Sequence, residues 1–379
     1  MLSLFTCCLR RKSPVQQTTT LTSGDDSTLY IPETLKDWPW PRSINPFYEI
    51  TASESLDWLH SYQFFPPKAQ LKFDRCDYGR LASLAYPRLN KEHNRIGCDL
   101  MNVFFVVEDG TDEASPEVTK QRVALLIDAL PNPSMPRPAD EWRGAEIVRA
   151  FWHRAITTPG FRRSTAGRFL DHFLDYLQSI VTEAADRAKE VADGPPVYTL
   201  ESFLAVRRRT VGAQPSFVLL ELGLPQELDD DAISEAVNNA DMRELSSLAT
   251  DMILIGNDLV SYNRERATGA VHNIVTVVLK NPPQSPPPKN APTVIKTAQD
   301  SVNWVAAYHQ VLLERFLALY ETATAHHTGP AFQHLASGLG NWVRANDQWS
   351  FESVRYFGAR GAEVQMTRVV ELLPLQEVY

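Results

Sequence analysis

The sequence has little of what marks a secreted, membrane-spanning or nucleic-acid-binding chain. It holds only four cysteines, Cys7, Cys8, Cys76 and Cys98, too few and too irregularly spaced for a disulfide scaffold or a zinc site. That scarcity makes a reducing, cytoplasmic setting the expectation. No apolar run approaches the roughly 20 residues that a membrane-spanning helix needs, so stable membrane insertion is not expected. Positive charge is not in excess either. Against 46 Asp and Glu stand 37 Lys and Arg, a net charge of −9, so the surface as a whole repels nucleic acid and anionic lipid. Sustained β-alternation is missing, and no repeat period appears. The first residues lack the leading positive charge and long apolar region of a secretory signal. Cys7 and Cys8 lie beside Arg10, Arg11 and Lys12, a pattern open to acylation, but a solvated tail is the simpler expectation.

What is present is ample material for a core: 379 residues, of which 44% are hydrophobic and 22% charged. Residues 1–30 are rich in Ser, Thr and Gln and read as a disordered tail. Residues 31–379 read as one all-α domain, a helical bundle. After the proline-spaced stretch Trp38-Pro-Trp-Pro41, helical periodicity begins near Glu49. Asp99–Val107 is almost wholly apolar, as suits a helix buried on most sides. Further helices are expected at about 117–130, 141–156, 164–191, 198–208, 215–222, 229–237, 241–267, 270–280, 298–324 and 328–347, with Pro-rich loops at 131–138 and 281–288.

The strongest chemical signal lies inside the helix that begins near Asp241. Asn257, Ser261 and Glu265 are spaced i, i+4, i+8, and each step of four residues drifts only about 40° around the helix, so the three share a stripe. An amide oxygen, a hydroxyl and a carboxylate are hard ligands, too few and too weakly charged for a calcium cage. They suit a Mg²⁺ that shares its coordination with water and substrate phosphates. The bland alternative is a polar face on an exposed helix. A second acidic group, Glu108, Asp109 and Asp112, ends the buried Asp99–Val107 helix, with Glu108 and Asp112 at i, i+4. A solvated helix end explains such a cluster equally well. Basic residues gather at Arg207-Arg-Arg-Thr-Val-Gly212, where Gly212 and Pro215 break a helix and expose backbone N–H groups beside guanidinium groups, a plausible diphosphate contact. Arg264 and the pair Arg355-Tyr356 add donors. Asp171 and Asp175 read as a surface pair.

Taken together these segments resemble the class I terpene synthases of fungi, in particular the mushroom-type sesquiterpene synthases. The metal motif of that family matches Asn257, Ser261 and Glu265, and its terminal Arg-Tyr pair matches Arg355-Tyr356. The likeness extends to Trp38-Pro-Trp-Pro-Arg42, Phe73-Asp-Arg-Cys-Asp77, Asp99-Leu-Met-Asn-Val-Phe-Phe105 and His272-Asn-Ile-Val-Thr276, from about residue 30 to 370. It implies an aspartate-rich motif on Glu108-Asp109-Gly-Thr-Asp112, with Glu in place of the usual leading Asp. Glu108 and Asp112 then become metal ligands, with Asp109 as the alternative. The diphosphate-sensing arginine falls on Arg208, with Arg207 as the neighbouring possibility, and Gly212 falls at the helix break. Arg264, Arg355 and Tyr356 become diphosphate contacts, and Phe105 and Trp349 the aromatics that shape the cavity.

The activity so implied is ionisation of farnesyl diphosphate with Mg²⁺, three ions in this family. The resulting cation cyclises to a sesquiterpene hydrocarbon, with 1,11-closure to a protoilludene-type skeleton as one candidate. No general base stands out, and the released diphosphate is available to take the final proton. The chain is expected to act as a monomer or homodimer. The competing reading is a catalytically silent homologue that binds an isoprenoid diphosphate or a protein partner. The altered Glu108 is its only support. A prenyl-chain-elongating synthase is disfavoured, because only one aspartate-rich cluster is matched.

Overall fold

The computed structural model describes residues 27–112, 114–193 and 198–375. The expected tail, with Cys7 and Cys8, lies outside the described residues up to position 26. In chain order the elements are β1 (Thr28–Tyr30), α1 (Tyr48–His60), α2 (Pro67–Arg75), α3 (Tyr78–Ala85), α4 (Lys91–Thr111), α5 (Pro116–Asp128), α6 (Arg143–Thr157) and α7 (Arg163–Asp193). There follow α8 (Leu200–Thr210), α9 (Ala213–Val218), α10 (Asp230–Asn238), α11 (Ala240–Ala267), α12 (Ile274–Lys280), α13 (Ala298–His326), α14 (Pro330–Glu352), α15 (Gly361–Thr367) and β2 (Val369–Glu371). The fold is all-α, as the periodicity implies. Among the described residues no helix is long and apolar enough to cross a membrane.

Helix α4 is the central element. From His93 to Thr111 every residue but Asp109 is buried, which is what an apolar run without a polar stripe demands. Its start is set by Asn90, whose side chain accepts from the His93 N–H, satisfying one of the donors that a helix N-terminus leaves open. Within the core, Asp99 accepts from Ser55 Oγ at 2.5 Å and Arg95 Nε at 2.7 Å, and Arg154 Nε lies 3.0 Å away on α6. A buried carboxylate needs such partners to remain ionised. Helix α4 packs on α1, α3 and α6, α3 packs on α14, and α14 packs on α11. The acidic end of α4 and the Asn/Ser/Glu stripe of α11 are therefore positioned by one continuous set of packed helices.

Two expectations change. Thr28–Tyr30, assigned to the tail, pairs antiparallel with Val369–Glu371, Leu29 opposite Val370. Leu29 and Val370 are both buried. Three residues are too short to show alternation, and the partner strand lies at the far end of the chain, so neither strand is legible locally. The helix expected at 270–280 begins only at Ile274, because Asn273 caps it by accepting from the Val275 N–H at 2.8 Å.

Candidate active site

At the end of α4 the carboxylate of Glu108 is buried, and neither of its oxygens has a hydrogen-bond partner among the described residues. Burial raises its pKa well above the usual range, and the charge of Asp112 adds to this, while Arg355 and Arg207 oppose it. Asp109 is exposed and Asp112 half-buried, as the 100° turn per residue requires. Glu183 of α7 is also buried, and its charge acts on both Glu108 and Arg207. A buried carboxylate with no donor is costly unless a cation satisfies it.

The α11 stripe is buried as well. Asn257 Nδ2 donates to Tyr356 Oη at 2.6 Å, while its Oδ1 is buried without a partner. Asn273 Nδ2 lies 3.0 Å from Glu265 Oε2 and 3.5 Å from Ser261 Oγ. The Glu265 carboxyl is pushed up to about 7 by burial, reinforced by the nearby Asp258. The orphaned oxygens of Glu108 on α4 and Asn257 on α11, and the Ser261 hydroxyl and Glu265 carboxylate on the same helix as Asn257, are each hard donors of the kind a divalent cation takes.

Of the two arginines open for the diphosphate-sensing place, Arg208 and its neighbour Arg207, it is Arg207 that turns inward. Arg207 Nη2 donates to Asp258 Oδ1 at 2.7 Å, and its Nε and Nη1 are buried without partners among the described residues. Arg208 instead forms two 2.6 Å bonds to Asp251, with its side chain 42% exposed. A signal for this was available: Leu200, Phe203, Leu204 and Arg207 follow one i, i+3, i+4, i+7 stripe, and all four are buried. Gly212 marks the break between α8 and α9 as expected. Its φ is +68°, and an added Cβ would stand 3.2 Å from the Phe104 ring, so only glycine fits without strain. Arg264 is half-buried and forms no ion pair and no side-chain bond to the cluster among the described residues.

Arg355 brings the predicted aromatics together. Its guanidinium carbon lies 5.0 Å from the ring centre of Phe105, 5.9 Å from Trp349, 5.5 Å from Tyr356 and 5.8 Å from Tyr78. Nη1 donates to Tyr78 Oη at 2.7 Å, and Nε lies 3.2 Å from Tyr356 Oη. Trp349 is fixed by donation to Cys76 O at 2.9 Å. The rings thus form a cage suited to positive charge. Sequence reasoning missed Tyr78, Glu183, Asp258 and Asn273. Tyr78 directly follows the Phe73–Asp77 segment, and Asp258 directly follows Asn257, but nothing in either neighbour declares its role. Asp171 and Asp175 stay apart from this centre, with Asp175 paired to Arg209 on the surface. A small cleft beside Ile31, His309 and Phe351, against the side of α11 that carries Met252 and Leu259, contains none of the predicted site residues.

Comparison with known proteins agrees with this chemistry. Residues 99–286 match the family described as "Terpene synthase family 2, C-terminal metal binding". A Delta(6)-protoilludene synthase of Stereum hirsutum is 41% identical over 355 residues, covering 93% of this chain and 89% of its own. A second, Delta(6)-protoilludene synthase 18 of Postia placenta, is 42% identical over 351 residues, covering 92% of this chain and 94% of its own. Among solved structures, an a-eudesmol synthase superposes with a TM-score of 0.69 at 17% identity, covering 84% of this chain and 98% of its own. The linalool/nerolidol synthase of Streptomyces clavuligerus gives 0.66 at 18% identity, covering 83% and 99%.

Proposed function

Because this chain belongs to the fungal class I terpene synthases, we propose that it is a Mg²⁺-dependent sesquiterpene cyclase acting on farnesyl diphosphate. The observation that carries the reading is a pairing of opposites. Buried, unpartnered oxygens of Glu108 and Asn257 occur on two helices, together with a buried Arg207 whose Nε and Nη1 have no partner. Oxygens of that kind call for a cation, and the arginine calls for an anion. A metal diphosphate meets both needs.

In this reading Glu108, Asp112, Asn257, Ser261 and Glu265 hold the metal, which when bound supplies positive charge to the departing diphosphate. Arg207 and Arg355 donate to the diphosphate oxygens, aided by Tyr356, and so stabilise the charge that develops as the C–O bond breaks. The rings that surround the Arg355 guanidinium, Phe105, Tyr78 and Trp349, also suit the allylic cation, each worth about 0.5–2 kcal/mol to it. Burial of Phe105, Tyr78, Trp349 and Arg355 keeps water from quenching that cation. The named relatives make a protoilludene-type skeleton the favoured product.

Incubating the purified chain with Mg²⁺ and geranyl, farnesyl or geranylgeranyl diphosphate, followed by analysis of the volatiles, tests this. A cyclic C15 hydrocarbon from farnesyl diphosphate is the expected result. Absence of any hydrocarbon from all three substrates would favour the silent homologue.

A further inference from the structure

The segment His272-Asn-Ile-Val-Thr276 follows the metal helix but contributes none of the ligands proposed above. Its placement is nonetheless specific. Helix α11 ends at Ala267, and Gly269 takes a φ of +75°, the left-handed turn that reverses a chain after a helix. That reversal returns Asn273 to the side of α11, where it is fully buried.

The orientation of its side chain is unambiguous. The Val275 N–H donates to Oδ1 at 2.8 Å, so the other terminal atom must be the nitrogen. Nδ2 then points at three acceptors on α11: Asp258 O at 2.7 Å, Glu265 Oε2 at 3.0 Å and Ser261 Oγ at 3.5 Å. Two of the three belong to the proposed metal ligands. Glu265 lies in the last turn of α11, where the negative end of the helix disfavours a carboxylate, and it is buried. An amide N–H is the donor that holds such a carboxylate in one rotamer. Asp258 completes the arrangement, since its Oδ2 accepts from the Ile274 N–H at 2.8 Å while Oδ1 accepts from Arg207. The start of α12 therefore ties the metal stripe to the diphosphate-facing arginine.

We infer that Asn273 is a positioning residue: its side-chain amide orients Glu265 and Ser261 for the metal, while its carbonyl oxygen caps α12. This rests on the cyclase reading of α11. Partners of this kind behind metal ligands typically change metal affinity about 10- to 100-fold when removed.

The test uses the whole chain and separates the two duties of the side chain. Asp and Ser both cap helices well, so Asn273→Asp and Asn273→Ser preserve the cap. Asp places an oxygen where Glu265 needs a donor, and Ser is too short to reach it. Melting temperature without metal, Mn²⁺ binding in the presence of inorganic diphosphate, and the Mg²⁺ concentration for half-maximal turnover are measured, with Asn257→Ala as benchmark. Asn273→Ser should melt close to wild type and Asn273→Asp lower, because its carboxylate is buried beside Glu265, and both should bind Mn²⁺ and respond to Mg²⁺ about tenfold more weakly or worse, with Asp the more severe.

If both keep wild-type Mn²⁺ binding while Asn257→Ala loses it, Asn273 only caps α12 and the inference fails alone. Should Asn273→Ser melt far below wild type without metal, the role of Asn273 is structural and the inference again fails. If Asn257→Ala itself keeps Mn²⁺ binding, the assignment of α11 falls and takes this inference with it.

Discussion

Arg207 and Asp258 form a 2.7 Å ion pair whose side chains are 0% and 1% exposed. Such a pair contributes little net stability, because removing two charges from water offsets their attraction. What it does is hold a guanidinium deep in the protein with Nε and Nη1 still unsatisfied, ready for an anion.

Arg207→Gln should therefore lose about 10²–10³ in turnover, the usual effect of deleting one transition-state donor. It should also destabilise the fold by about 3–5 kcal/mol, since Asp258 is left buried alone. The double variant Arg207→Gln/Asp258→Asn should regain much of that stability without regaining activity. Arg208→Gln, altering a partly exposed pair with Asp251, should keep most of its turnover. Turnover and thermal melting of the four proteins check this.

Glu108 and Asp109 should behave oppositely. Glu108→Gln removes a buried carboxylate that lacks donors, so turnover should collapse while the melting temperature holds or rises, an active-site trade of stability for function. Glu108→Asp should keep a substantial part of the activity. Asp109 is exposed, and Asp109→Asn should do less harm. A lethal Asp109→Asn beside a nearly silent Glu108→Gln would shift the motif by one residue.

Acid should destabilise the chain through His309. This ring is buried, and burial lowers its pKa from 6.5 to about 4. Between those values the unfolded chain takes up a proton that the folded chain does not. Stability is therefore complete above the upper value and falls as pH drops towards the lower one, by up to about 3 kcal/mol. Burial lowers His172 and His334 in the same direction. Urea unfolding of His309→Gln across this window should show a flatter profile than wild type.

The small sheet should matter to stability but not to chemistry. Leu29→Ala empties a buried site opposite Val370 and should cost about 2–4 kcal/mol, as large-to-small core changes do. Turnover below the melting range should be unchanged.

These predictions divide along what the chain makes visible. The helices were legible because their periodicity is local: α5, α7, α11 and α13 fall within a few residues of the expected ranges. The Asn257, Ser261 and Glu265 stripe was legible for the same reason, because spacing within one helix determines a shared face. The choice between Arg208 and its neighbour Arg207 was not legible from the resemblance alone, whereas the apolar stripe through Phe203 and Leu204 shows which of the two turns inward. Tyr78, Asp258 and Asn273 were invisible because their roles depend on contacts across helices, such as Tyr78 with Arg355 of a distant segment. The β1–β2 pairing failed for that reason too, since it joins opposite ends of the chain.

The central claim is that α11 holds the metal that drives ionisation. Its most direct test is the rate of inorganic diphosphate release from farnesyl diphosphate as Mg²⁺ is titrated, for wild type and Asn257→Ala. Wild type should release diphosphate in step with Mg²⁺ and stop in excess EDTA, while the variant, folded to the same melting temperature, should release almost none. Equal release by both proteins, or release that survives EDTA, would contradict the account.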